Sequence, residues 1–123
     1  MLSDKKIKAF APSTNPVRAK SFYKDLLGLT LLSEDDYGLE FDANGTLLRV
    51  IFVKEFTPQG FTILGWNVSD LYELIKSLSK KGIEFNKYDF LEQDDYGVWL
   101  SPGGSKVAWF KDPDGNVLSL TEG

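Results

Sequence analysis

Two absences decide most of the chemistry open to this chain: among its 123 residues there is no histidine and no cysteine. An imidazole general base, Ser-His-Asp and Cys-His arrangements, thiolate zinc, iron–sulfur clusters and disulfides are all excluded. A metal would have to rest on oxygen ligands alone, which restricts it to hard cations or an unusual site. Asp112-Pro113-Asp114-Gly115-Asn116 puts several such oxygens in series. One short turn supplies too few convergent ligands, however, and the run reads as a β-turn whose Asp and Asn bond the local backbone. The groups with more to offer are Lys8, Arg49 and Glu40. Two cations in a partly dry concavity favour an anionic ligand, and the arginine fork matches carboxylate or phosphate. The same cations also read as strand-edge charges that discourage aggregation, or as partners of Glu40 in a salt bridge. Residue type alone leaves all three readings open.

Those side chains can act together only if strands aim them the same way. Side chains alternate along a strand, so parity sorts them without further assumptions. One face collects Ala9, Ala11, Leu48, Val50, Phe52, Leu64, Trp66, Val68, Leu118 and Leu120, all apolar, as packing beneath helices requires. The other collects Lys8, Phe10, Pro12, Leu47, Arg49, Ile51, Ile63, Gly65, Asn67, Val117, Ser119 and Thr121. Glu40 joins this second face if Leu39 and Phe41 point to the helices. Apolar walls with a few polar groups are the composition of a small-molecule pocket, although a half-solvated sheet face looks similar. The candidate pocket is therefore Lys8, Phe10, Glu40, Arg49, Ile51, Ile63, Asn67, Ser119 and Thr121. Trp66 has core parity. Trp99 and Trp109 lie on segments whose facing is not settled by the pattern, so core, pocket lining and a seam between copies all stay open.

The elements that must carry these residues are legible from their punctuation. A first helix is predicted from Asn15 as N-cap and Pro16 at the first helical position, with an apolar stripe of Ala19, Phe22, Tyr23 and Leu26, stopping at Gly28. A second has Ser69 as cap, Asp70 in its first turn, a stripe of Leu71, Leu74, Ile75 and Leu78, and Lys80-Lys81-Gly82 at its end. Strands are predicted at Ile7 to Pro12, Leu29 to Ser33, Gly38 to Asp42, Thr46 to Lys54 and Phe61 to Val68. Further extended segments run from Ile83 to Tyr88, Lys106 to Lys111 and Asn116 to Thr121. Asn44-Gly45 is a strong hairpin signal. The order is β-α-β-β-β written twice, with the joint near Thr57-Pro58-Gln59-Gly60. Two internal registers compete. Asp35-Asp36-Tyr37-Gly38 recurs as Asp94-Asp95-Tyr96-Gly97, whereas Asp42-Ala43-Asn44-Gly45-Thr46 matches Asp112-Pro113-Asp114-Gly115-Asn116. The second keeps both hairpins at the end of a module and is preferred; the first reads as similar solvated acidic turns.

Composition agrees with one globular domain: 42% apolar and 26% charged residues over a length too short for two conventional domains. Eighteen carboxylates against fourteen bases leave a formal charge of −4, which argues against a nucleic-acid partner. The start, Met1-Leu2-Ser3-Asp4-Lys5-Lys6, lacks the apolar core of a secretory signal. The most hydrophobic stretch, Leu47 to Val53, is too short to span a bilayer and contains Arg49. No membrane association and a cytoplasmic location are expected.

Three stretches resemble one known group of proteins. They are Ala19-x-x-Phe22-Tyr23-x-x-x-Leu27-Gly28-Leu29, then Trp66-x-Val68-x-Asp70, then Ala108-Trp109-Phe110-Lys111-Asp112-Pro113-Asp114-Gly115-Asn116 with Leu118-Ser119-Leu120 beyond. Taken in order with the doubled topology, they resemble the vicinal oxygen chelate superfamily of glyoxalases, bleomycin-resistance proteins and extradiol dioxygenases. The resemblance implies an α+β fold of two βαβββ modules forming a curled mixed sheet, an open cup with helices on its outer face. It implies a single domain over 1–123, made of module 1–56 and module 61–123 joined near 57–60, and commonly a homodimer. The family's divalent metal is held by four strand positions, which correspond here to Lys8, Arg49, Ile63 and Ser119. An isoleucine has no lone pair, and two cations repel a third. The expectation is therefore a protein with no metal and no cofactor that holds a small organic ligand, anionic if the cations serve it. A divalent-metal lyase, isomerase or dioxygenase, or a metal-free enzyme of the same fold, is the alternative.

Overall fold

The computed structural model describes residues 1–123, which fall into two units, Met1–Thr57 and Pro58–Gly123. In the first unit the chain runs β1 (Lys8–Ser13), α1 (Pro16–Lys20), β2 (Thr30–Glu34), β3 (Gly38–Ala43) and β4 (Thr46–Phe52). Asn15 caps α1 by accepting the Arg18 N–H on its side-chain oxygen, and Pro16 follows it at the first position. The helix does not run on regularly to Gly28. It widens into a π-helical turn at Ser21–Leu26, closed where the Leu27 N–H reaches the Phe22 carbonyl. That turn brings Phe22 and Tyr23 inward beside Ala19, and the Tyr23 ring lies 6.0 Å from Phe41 of β3. The sheet order is β1-β4-β3-β2, with β1 parallel to β4 and the other pairs antiparallel. Asn44 and Gly45 both take positive φ, 53° and 93°, as a type I′ hairpin turn requires. Asp42 steadies the turn by accepting the Gly45 N–H.

The second unit repeats the plan with β5 (Thr62–Asn67), α2 (Leu71–Lys80), β6 (Trp99–Leu100), β7 (Lys106–Lys111) and β8 (Val117–Glu122), in sheet order β5-β8-β7-β6. Asp70, not Ser69, is the N-cap of α2, and it makes no side-chain cap bond. The orphan Leu71 N–H instead donates to the carboxylate of Glu122, 3.0 Å away at the end of β8. A second correction concerns Ile83 to Tyr88. It forms no strand, only a single bridge from Phe85 to Phe110, and the strand that follows α2 is the short β6. The reason is Gln93. Its amide accepts the Tyr88 N–H and donates to the carbonyls of Asn86 and Gly97, so one side chain takes the place of a ladder.

Matching β3 to β7 and β4 to β8 sets the β3–β4 turn against Asp112–Asn116, the preferred internal register. The two Asp-Asp-Tyr-Gly runs are similar loops at different places, one between β2 and β3 and the other ahead of β6. In both, the first aspartate accepts backbone N–H groups just downstream.

Each sheet has one face beneath its own helix. In the first unit this face carries Ala11, Leu39, Phe41, Leu48 and Val50, all essentially inaccessible. In the second it carries Ala108, Phe110, Leu118 and Leu120 against Leu71, Ile75 and Leu78 of α2. No helix is long and apolar enough to cross a membrane.

Candidate ligand-binding faces

The opposite face of the first sheet is ordered by strand register. Phe10 pairs with Arg49, and Arg49 with Glu40, so these three stand in one row across β1, β4 and β3. Lys8 is two residues along β1 from Phe10 and Ile51 two residues along β4 from Arg49, on the same face. All five candidate residues of this unit are therefore brought together. Glu40 lies between the two cations: its Oε1 is 3.5 Å from Lys8 Nζ and its Oε2 is 3.5 Å from Arg49 Nη1. The Lys8 ammonium also lies 5.9 Å from the centre of the half-exposed Phe10 ring. Arg49 has a second carboxylate in Asp35, 3.2 Å from Nη2. The Tyr37 N–H, with help from Arg49 and the Gly38 N–H, outweighs desolvation and holds the Asp35 carboxyl below its ordinary value. The pattern of alternation could not find Asp35, because it lies in a loop.

Glu40 is the only carboxylate among the candidate residues, and both its oxygens face cations. A divalent ion there would sit beside two positive charges. No group of three or more Asp and Glu side chains stands close enough to hold a metal. The residues do not fit the divalent metal that the fold implies.

In the second sheet, Ser119 of β8 pairs with Gly65 of β5 on one side and Trp109 of β7 on the other. Thr121 pairs with Asn67 and with Val107, and Val107 pairs with Trp99. Asn67, Ser119 and Thr121 thus share a face, and that face also holds both tryptophans left unplaced by the sequence. Ile63 sits where the register between β5 and β8 slips, so it lacks a ladder partner of its own. The two indole rings are 6.1 Å apart, and Tyr88 meets Trp109 edge-on at 5.6 Å. The facing of Trp109 was recoverable: Ala108 and Phe110 are core residues, which sends the residue between them the other way.

A polar cluster lies apart from this face. Tyr72 donates its hydroxyl to Asp94 at 2.6 Å, and Lys106 stands 5.6 Å over the Tyr72 ring. They border a cavity of about 370 Å³ lined also by Gln93, Val98 and Leu100. The Asp94 hydrogen bond raises the Tyr72 hydroxyl to about 12.

Doubled βαβββ topology defines a class of fold, and comparison assigns the family. The Glyoxalase/Bleomycin resistance protein/Dioxygenase superfamily matches residues 9–120, and the chain belongs to it. No curated protein matches the sequence. Among solved structures, a glyoxalase family protein from Enterococcus faecalis is 24% identical, with 99% of this chain and 100% of that one covered and a TM-score of 0.77. Lactoylglutathione lyase from Agrobacterium tumefaciens is 14% identical, covering 100% and 96%, with a TM-score of 0.77. A bleomycin-binding protein complexed with bleomycin is 20% identical, covering 97% and 98%, with a TM-score of 0.74. At these identities the likeness is one of fold.

Proposed function

We propose that this protein binds a small organic molecule without a metal on a mixed sheet face, the candidates being the face of the first unit that carries Lys8, Phe10, Glu40, Arg49 and Ile51 and, separately, the face of the second that carries Ile63, Asn67, Ser119 and Thr121. The observation that carries the reading is the clasp on Glu40: a carboxylate held between two cations is a poor seat for a divalent ion and a good frame for hydrogen bonding. The solved bleomycin-binding relative supports a binding role for this fold. An anionic group on the ligand is served by Arg49. Its pair with the exposed Asp35 is a surface pair of small net worth, which a ligand carboxylate can replace on the same Nη2. We propose further that the protein acts in the cytoplasm as a homodimer.

Native mass spectrometry of the untagged protein tests this, since a polyhistidine tag would add imidazoles that the chain lacks. The expected species is a dimer carrying an organic adduct. Arg49→Ala should lose that adduct, while Lys20→Ala, which breaks an exposed pair with Glu34 on the helix side, should keep it. Equal retention by both variants would refute the role of Arg49. Bleomycin is the first compound to add.

A further inference from the structure

The second sheet's mixed face has properties that the charged row does not explain. Trp99 and Trp109 lie side by side on it, Tyr88 packs edge-on against Trp109, and the 80%-exposed ring of Phe90 lies 5.4 Å from Tyr88. Neither indole N–H donates to any protein acceptor. The Tyr88 oxygen accepts from the Asn86 amide, and its own proton has no protein acceptor. Ser119, only 7% exposed, has no hydrogen-bond partner for its hydroxyl, although its oxygen reaches the surface. Gly65 stands beside it, and a Cβ there would come within 2.8 Å of that oxygen. The notch over Ser119 therefore exists because position 65 lacks a side chain. Four groups able to donate a hydrogen bond, all without a protein acceptor, belong to this face and its aromatic rim.

We infer that this face receives a planar ring system bearing hydrogen-bond acceptors, such as a ring carbonyl, with the ring against Trp99 and Trp109 and an acceptor at the notch between Gly65 and Ser119. Stacking on a flat ring uses the π-faces, and the unsatisfied donors select a ring with acceptors over a plain hydrocarbon. Gln93 is the positioning residue, since its three hydrogen bonds hold the segment that carries Tyr88. This inference deepens the proposed binding function and rests on it.

The test is proton–nitrogen NMR of the whole chain, in which the three tryptophans provide three indole N–H reporters. The probes are coumarin, which is planar with a carbonyl, naphthalene, which is planar without one, and decalone, which has a carbonyl but is not planar. Coumarin should shift the Trp99 and Trp109 indole signals and leave Trp66, which belongs to the helix-side face, in place. Naphthalene should bind about tenfold more weakly, and decalone should shift neither signal. Trp109→Leu should weaken coumarin by about tenfold or more, and Gly65→Val should abolish the shifts by filling the notch. Gln93→Ala should weaken coumarin while leaving the Trp66 indole signal of the free protein unmoved. No coumarin shift at Trp99 and Trp109, an equal shift at Trp66, or equal binding of decalone would overturn the inference. Loss of an organic adduct in Arg49→Ala together with indifference to coumarin would sink this inference alone. Absence of any adduct and of any probe binding would sink the binding function with it.

Discussion

Tyr72 and Asp94 form the pair with the clearest pH signature. The phenol is raised from 10.0 to about 12, first by its hydrogen bond to Asp94 and then by burial, so the folded state holds this proton more tightly than the unfolded chain does. The stability it contributes is fully present below pH 10 and is lost as pH rises toward about 12. In spectrophotometric titration Tyr72 should ionise near 12, and Asp94→Asn should return it toward the ordinary value. Ionisation of Tyr72 at its ordinary value would count against the pair. Burial of Asp94 works to raise its carboxyl, but the Tyr72 hydroxyl and the Val98 and Tyr96 N–H groups outweigh it and hold the group low. Its contribution is present above the ordinary carboxylate range and is lost as pH falls through the lowered value. At Gly38 the backbone decides: an added Cβ would come 2.5 Å from the Val50 carbonyl oxygen, which cannot swing away. Gly38→Ala should cost about 1–3 kcal/mol in urea denaturation, while Gly60→Ala, with open space around it, should stay within about 0.5 kcal/mol.

At the scale of elements, the start of α2 depends on a residue fifty-one positions away. Glu122 supplies the cap that Asp70 does not, so Glu122→Ala should cost about 1 kcal/mol in thermal or urea unfolding, and Ser69→Ala should cost almost nothing. A larger loss at Ser69 would restore the local cap. This long-range cap shows where sequence reading stops. Asn15-Pro16, Asn44-Gly45 and the Asp112 turn were legible because each acts on its own neighbours. The cap from Glu122 and the hold of Gln93 over Asn86, Tyr88 and Gly97 were not, because each joins segments that no periodicity links. Loss of regularity in α1 at Ser21–Leu26 was equally hidden, since Phe22 and Tyr23 satisfy an ordinary helical stripe.

For the whole molecule, the doubled βαβββ order and the family were readable from spacing and motif, and the family match over 9–120 shows the membership. Alternation placed Lys8, Arg49 and Glu40 on one face, as their register in β1, β4 and β3 confirms. It could not say that Glu40 would be shared by both cations, because that depends on side-chain reach across strands. Nor could it assemble Trp99, Trp109 and Tyr88, which come from a two-residue strand, a central strand and a loop held by one glutamine. The proposed function has this fold bind its ligand without a divalent metal. Equilibrium dialysis of the untagged protein against manganese, nickel and zinc ions tests it most directly. No stoichiometric uptake of any of the three is expected; one ion retained per chain, and released on Glu40→Gln, would refute metal-free binding.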